Sequence, residues 1–327
     1  MADPRPAPDL EFQALVRKKY AGNPQAMTAL GARLIVGRDS PRSLVDGMAL
    51  ISAASQQDDA GAWCCLAMLA AAGVGCPHNW EDALYALHRA VELGDTHAVR
   101  QAQVLRECGI GNGSDVERWL VPADGCNGRV LRESPRFVAL AGFLPPVLCA
   151  YLVQRSAGRL VQAQVYDAYG GGLKIDPMRT NKGAAYSLID TDLVMQLIRT
   201  RIAQAAGVAF DTLEPTEVLH YSAGERYKPH FDFFHPALPN YADEMRLKGQ
   251  RIKTCLVYLN DGYEGGETEF PKIGIKFRGQ PGAALIFDNV LADGSGDPDT
   301  LHAGLPPAAG EKWLLSQWIR DKPQPVV

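Results

Sequence analysis

A chain of 327 residues exceeds the usual size of one domain, so two hydrophobic cores joined by irregular sequence are expected. With 46% hydrophobic and 21% charged residues the composition is that of a soluble globular protein. A formal charge of -4 without a basic stripe argues against a nucleic-acid partner.

The opening residues, MADPRPAPDLEF, carry neither the basic start nor the apolar stretch of a secretory signal, and residues 1–19 read as a mobile tail. The longest apolar run, Trp63 to Cys76, contains two glycines and is too short to cross a bilayer. No membrane partner and a cytoplasmic location are therefore expected. Seven cysteines (Cys64, Cys65, Cys76, Cys108, Cys126, Cys149, Cys255) form no CxxC pair, which reads as reduced, mostly buried thiols.

Residues 20–110 match themselves at a spacing of 36: Asn23, Asp59 and Asp95 fall in register, as do Ala26, Ala62 and Ala98, Gly37 and Gly73, Asp46 and Asp82, and Ala54 and Ala90. Apolar residues inside each unit follow helical spacing, as in Ala62, Cys65, Leu66 and Leu69, then Ala83, Leu84, Leu87 and Val91. Each unit is thus a helix hairpin, with polar residues at the caps, glycines ending the first helix and alanines allowing close helix approach. The stretches DDAGAWCCLAMLAAAGVG and WEDALYALHRAVELGD resemble Sel-one-like repeats, a tetratricopeptide-related family. That resemblance implies a solenoid surface for a protein or peptide partner. Residues 111–136, rich in Gly, Asn and Pro, read as a linker to a second domain over 137–327.

In the second domain, Phe143-Leu144-Pro145-Pro146 opens a helix, and Asp192 to Ala206 forms another with Leu193, Val194, Leu197, Ile198 and Ile202 on one face. EVLHYS, YKPHFDFF, KTCLVYLN, GIKFRG, GAALIFDN and KWLLSQWI have strand composition, bounded by turn residues. Helices on such a core suggest a double-stranded β-helix, or jelly roll. The fold class expected is therefore two domains, an N-terminal all-α helical repeat and a C-terminal jelly roll flanked by helices.

His230 and Asp232, two apart on a strand, point to one face, while Phe231 and Phe233 point to the other. His302, after the loop LADGSGDPDT, completes a two-His, one-carboxylate set suited to one face of an octahedral Fe(II). Lys312 lies on the strand of EKWLLSQWI, and an inward ammonium there needs an anion, for which a dicarboxylate is a good partner.

The ordered stretches RTNKG, HYSAGERYKPHFDFF, QRIKTCLVYLN, GGETEFP, LADGSGDPDTLHAG and EKWLLSQWI resemble the prolyl 4-hydroxylase group of 2-oxoglutarate-dependent dioxygenases. The resemblance implies His230, Asp232 and His302 as iron ligands, Lys312 on the distal carboxylate of 2-oxoglutarate, and Tyr221 and Thr268 as further holders of that cosubstrate. It implies O2 as the other cosubstrate, ascorbate as reductant and a protein or peptide as substrate, with Tyr227, Arg251 and Trp318 lining its groove. The group often has His where this chain has Arg320, and Arg179 fits either packing of the site's cap or substrate contact. Gly265-Gly266, the DGSGDP loop and HPALPNYADEMRLKG are candidate lid segments. The activity implied is hydroxylation of a prolyl residue, of the procollagen-proline 4-dioxygenase type, with release of succinate and CO2. A hydroxylase of a free amino acid or small molecule, and a catalytically inactive repeat-based scaffold, are the competing readings.

Overall fold

Asn23, Asp59 and Asp95 each cap a helix, so the spacing of 36 is a structural period. Their side chains accept from Ala26 N at 2.7 Å, Ala62 N at 2.9 Å and Ala98 N at 2.7 Å. The computed structural model describes residues 10–121, 128–170 and 172–325. It begins with seven helices: α1 (Leu10–Tyr20), α2 (Pro24–Val36), α3 (Leu44–Ser55), α4 (Ala60–Ala72), α5 (Trp80–Glu92), α6 (Thr96–Glu107) and α7 (Gly113–Leu120). Gly37 and Gly73, at φ 77° and 67°, end α2 and α4 in the left-handed conformation that glycine adopts without a Cβ penalty. Ala54, Ala62, Ala90 and Ala98 are fully buried. Gly31 and Gly47 let α2 and α3 approach so closely that a Cβ on either would come within 2.8 Å of the other's carbonyl oxygen.

Asp59 also accepts the Thr28 hydroxyl at 2.6 Å, tying α2 to the cap of α4. Asp59→Ala removes the cap and the α2–α4 tie, leaving the Thr28 hydroxyl only Pro24 O at 3.1 Å, so unfolding free energy should fall by about 1–2 kcal/mol. A denaturation midpoint unchanged from wild type would show that the cap contributes nothing.

Two expectations for this region are corrected. The tail was expected over 1–19, yet Leu10–Tyr20 is a helix; residues 1–9 lie outside the described residues. Inside the expected linker 111–136, Asn112 and Asp115 make a capping box that starts α7, and a strand begins at Arg129. The glycine-rich run concealed an N-x-x-D helix start, and the strand depends on pairing with distant chain. Cys126 lies outside the described residues, and the other six cysteines are free thiols. Cys149 and Cys255 are buried, whereas Cys64, Cys65, Cys76 and Cys108 are half-buried, fewer in the interior than expected.

The remaining elements are β1 (Arg129–Glu133), β2 (Arg136–Leu140), α8 (Pro146–Ala157), β3 (Val161–Gln162), β4 (Val165–Tyr166), β5 (Leu173–Lys174), β6 (Lys182–Tyr186) and α9 (Leu193–Ala206). Then come β7 (Thr216–Tyr221), β8 (Tyr227–His230), α10 (Pro239–Lys248), β9 (Arg251–Tyr258), β10 (Tyr263–Gly265), β11 (Thr268–Phe270) and β12 (Ile275–Phe277). Last are β13 (Ala284–Asp288), β14 (His302–Gly304), β15 (Pro307–Gly310) and β16 (Lys312–Arg320). Contacts divide the chain into two units. One contains the described residues through Val121 with Tyr186–Arg201; the other contains the remaining described residues through Pro325. Within the first unit Arg38 bonds Ser187 at 2.7 Å, and Gln101 accepts from Leu193 N at 3.0 Å. These bonds group Tyr186–Arg201 with the helices although sequence order places it in the C-terminal half.

The second unit holds an eight-stranded sheet, β1-β2-β13-β9-β16-β7-β6-β3, and a four-stranded sheet, β12-β11-β14-β8. Phe137, Tyr221, Tyr258 and Phe287 of the large sheet form one apolar cluster with Phe270 of the small one. Phe270 meets Phe137 edge-on at 4.7 Å, so the two sheets pack face to face. β16 is central, paired with β7 and β9, and all nine of its residues are buried, which places Lys312 far from any sheet edge. HPALPNYADEMRLKG, a candidate lid segment, contains helix α10, started by Pro239 in its first turn. Among the described residues no helix is long and apolar enough to cross a membrane.

Candidate metal centre and anion pocket

β8 pairs antiparallel with β14 so that His302 lies directly opposite His230. The strand ends at His230, and Asp232 stands in the bend that follows, a correction to the expectation of both on one strand. The bend still brings the carboxylate between the rings: Asp232 Oδ1 is 3.8 Å from His230 Nε2, and Oδ2 is 3.6 Å from His302 Nε2. One donor atom from each of the three residues lies within 4.8 Å of the others.

Each imidazole is oriented by its other nitrogen. His230 Nδ1 donates to Lys228 O at 2.8 Å and His302 Nδ1 to Thr300 O at 2.9 Å, which fixes the tautomers and leaves both Nε2 lone pairs aimed at the shared point. Asp232 Oδ2 accepts from Thr254 Oγ1 at 2.7 Å, and that hydroxyl accepts from Asn289 Nδ2 at 2.9 Å. Burial pushes the His230 imidazolium down to about 3, with the neighbouring His302 adding to the effect. Burial alone would raise the Asp232 carboxyl, but His302, His230, Arg251 and the Thr254 hydroxyl outweigh it and hold it below the usual range. A neutral imidazole at His230, an ionised carboxylate and no thiolate fit a divalent metal such as Fe(II) that keeps open positions.

Thr254 and Asn289 were missed by the sequence reading. The available signal was a threonine alternating with Leu256 and Tyr258 on an apolar strand. Thr254→Val keeps the shape but frees the carboxylate and strands the Asn289 amide. Metal affinity is expected to fall by about 10–100-fold, as for other outer partners of metal ligands. Titration with Mn(II) checks this, and Thr254→Ser should restore most of the loss.

Lys312 is fully buried, and its Nζ donates to Gly266 O at 2.8 Å. Burial pushes the amine down to about 7, an effect that the Glu267 carboxylate offsets only in part. The Tyr221 and Tyr258 rings lie 5.1 and 5.6 Å from Nζ. Thr268, also buried, shares a hydrogen bond of 2.7 Å with the Tyr258 hydroxyl. Tyr258 is a further residue not anticipated from sequence. One cavity is lined by Lys312, Tyr221 and Thr268 together with His230, Asp232 and His302, and its walls include Leu219, Leu256 and Leu314. Gly304 keeps it open, since a Cβ there would lie 3.3 Å from the Tyr221 hydroxyl oxygen. A cavity lined by leucines, a buried amine and three metal donors suits a short dicarboxylate.

Tyr227, Arg251, Trp318 and Arg179 line an adjacent cleft of about 590 Å³ that also reaches His230 and Asp232. The Tyr227 ring stacks on His230 with centroids 3.5 Å apart. Arg251 lies 4.0 Å over Trp318, and Glu214 holds it with bonds of 2.6 and 2.8 Å. Arg179 is clamped by Glu217 at 3.0 Å and sits 4.9 Å over the Tyr227 ring, so it packs the site's cap while facing the cleft.

Residues 216–320 match the family described as the 2OG-Fe(II) oxygenase superfamily. The class defined by this match and by the site is that of Fe(II)- and 2-oxoglutarate-dependent dioxygenases, oxidoreductases that also consume O2. "Prolyl 4-hydroxylase 1" of Arabidopsis thaliana is 35% identical over 232 residues, spanning 64% of this chain and 79% of the relative. The viral collagen prolyl hydroxylase of Paramecium Bursaria Chlorella virus-1 aligns with 60% of this chain and 98% of its own, at 24% identity and a TM-score of 0.44. A Sel1 repeat protein from Oxalobacter formigenes aligns with 35% of this chain and 46% of its own, at 25% identity and a TM-score of 0.30. The chain belongs to the prolyl 4-hydroxylase family.

Proposed function

We propose that this dioxygenase hydroxylates a prolyl residue of a protein or peptide, with iron held by His230, Asp232 and His302. The single observation that carries the reading is the one cavity lined both by these donors and by the buried Lys312 amine. When bound, Fe(II) with 2-oxoglutarate and O2 supplies the oxidation: one oxygen atom enters a C–H bond, and the other leaves in succinate as CO2 is released. Lys312 neutralises the far carboxylate of 2-oxoglutarate, while the Tyr221 and Thr268 hydroxyls donate to its oxygens. Leu219, Leu256 and Leu314 keep water from this end. In the cleft, the faces of Tyr227 and Trp318 hold a proline ring and the Arg251 guanidinium donates to a backbone carbonyl.

The face-to-face sheets support the reading of the C-terminal region, 137–327, as a double-stranded β-helix flanked by helices. The matched caps and buried alanines of α2, α4 and α6 support Sel-one-like repeats over residues 20–110, which would recruit the protein that carries the proline. Ascorbate as reductant and a cytoplasmic location, consistent with six free thiols, complete the proposal.

The test is succinate release by the purified full chain with Fe(II), 2-oxoglutarate and O2, with and without a proline-rich peptide, followed by mass spectrometry of the peptide. Peptide-stimulated release with one added oxygen on proline is expected. Release stimulated by free amino acids but by no peptide would shift the reading to a small-molecule hydroxylase. No release under any condition, with metal binding unchanged in His230→Ala, would leave only the scaffold.

A further inference from the structure

Arg320 closes β16 and is 2% exposed, yet it is an arginine with three acceptors around it. Its Nε donates to Glu214 Oε1, its Nη1 to Gly249 O at 2.6 Å, and its Nη2 to Glu244 Oε1 at 2.8 Å. Neither Arg320 nor its two carboxylates line the cleft. Each carboxylate, however, holds a second group that does. Glu214 takes Nε and Nη2 of Arg251, and Glu244 accepts the Tyr166 hydroxyl at 3.1 Å. Arg251 and Tyr166 face the cleft from β9 and β4. Phe234, also at the cleft, lies between them: Arg320 is 4.7 Å and Arg251 4.9 Å over its ring, and the Tyr166 ring is 5.8 Å away.

Two features show that this arrangement does more than fill space. Opposite charges are buried here in a network whose desolvation cost an apolar core would not carry, and each charge is held in a fixed geometry by its partners. Arg251, held in plane by Glu214 and lying face-on to Trp318, presents Nη1 as the one guanidinium nitrogen with no partner among the described residues. A donor so fixed selects where an acceptor can sit.

We propose that Arg320 and Glu244 are positioning residues that set substrate specificity: together they fix the separation and orientation of the Arg251 donor and the Tyr166 ring. The cleft thereby accepts an extended peptide with one backbone carbonyl on Arg251 Nη1 and an apolar ring against Tyr166 and Phe234. Glu244 sits on α10, so the same bridge pins that helix beside the cleft. This inference rests on the peptide reading of the site. Arg320→Lys retains the charge but, as a point donor on a flexible stem, loses the planar fork that serves three acceptors. Glu244→Gln retains the shape and weakens the link to both Arg320 and Tyr166.

The experiment uses the full chain loaded with Mn(II) and 2-oxoglutarate, and measures binding of a labelled poly(L-proline) peptide by fluorescence anisotropy. The 2-oxoglutarate affinity and melting temperature of each variant are measured in parallel. Both variants are expected to bind the peptide about 10-fold or more weakly, with 2-oxoglutarate affinity within about twofold of wild type, as expected when a hydrogen-bonded charge that orients a ligand contact is lost. Equal peptide affinity in wild type and Glu244→Gln, or a parallel loss of 2-oxoglutarate and peptide affinity, overturns the proposal, as does a wild-type chain that does not bind the peptide. A wild-type chain that binds peptide but releases no succinate removes the hydroxylase reading instead. The positioning role of Arg320 and Glu244 is then decided by the affinities alone.

Discussion

Lys312→Met is expected to raise KM for 2-oxoglutarate by about 100-fold or more, because removing one partner of a buried pair costs about 3–5 kcal/mol and about 1.4 kcal/mol is tenfold in binding. Lys312 is the buried cation lining the slot, and the Glu267 carboxylate offsets only part of the cost of its burial. The same substitution changes the pH dependence. Burial holds the amine near 7 in the folded chain against 10.5 as the ordinary value, so without cosubstrate the unfolded chain binds more protons between those two values. Stability of the wild type without cosubstrate therefore gains from this group as pH rises through that window. Cosubstrate affinity runs the opposite way: the dianion needs the ammonium, so wild-type affinity weakens as pH rises above about 7. In Lys312→Met both dependences on this group vanish, and the protein without 2-oxoglutarate should melt higher than wild type at neutral pH. Succinate release and thermal melts over pH 6–9 measure this. A KM within about threefold of wild type would remove Lys312 from the cosubstrate site.

His302→Ala is the second large effect. It removes one of three donors while leaving the β14 backbone free to pair with β8, so the fold should persist. Loss of an outer partner such as Thr254 weakens a metal by about 10–100-fold. Loss of a donor should exceed that range, with peptide-dependent succinate release falling to background. Anaerobic Fe(II) titration, or Mn(II) titration in air, provides the measurement, and circular dichroism checks the fold. Near-wild-type metal affinity in His302→Ala would mean that the three side chains converge for some other reason.

The caps at Asn23, Asp59 and Asp95 were legible because a side chain bonding a backbone amide three residues later is a local event. His230 and Asp232 were legible as a pair for a similar reason, although the bend after His230 was not. α7 was hidden in a glycine-rich stretch, and α10 in a run with prolines at 236 and 239. The short strands β10, β11, β14 and β15 carry little periodicity of their own and are defined by pairing with one another and with β8 and β12.

Sequence alone determined the residue types of the chemistry, the helical period of the first third and, through motif resemblance, the dioxygenase class. Tertiary structure decided the rest. It placed His302 opposite His230, centred β16 so that Lys312 is fully buried, and gave Asp232 the support of Thr254 and Asn289. It also joined Arg320 to Glu214 and Glu244, which no spacing foretold. A strand's pattern states which side chains share a face, but strand order and register determine what that face meets, and both are set by contacts between residues distant in the chain.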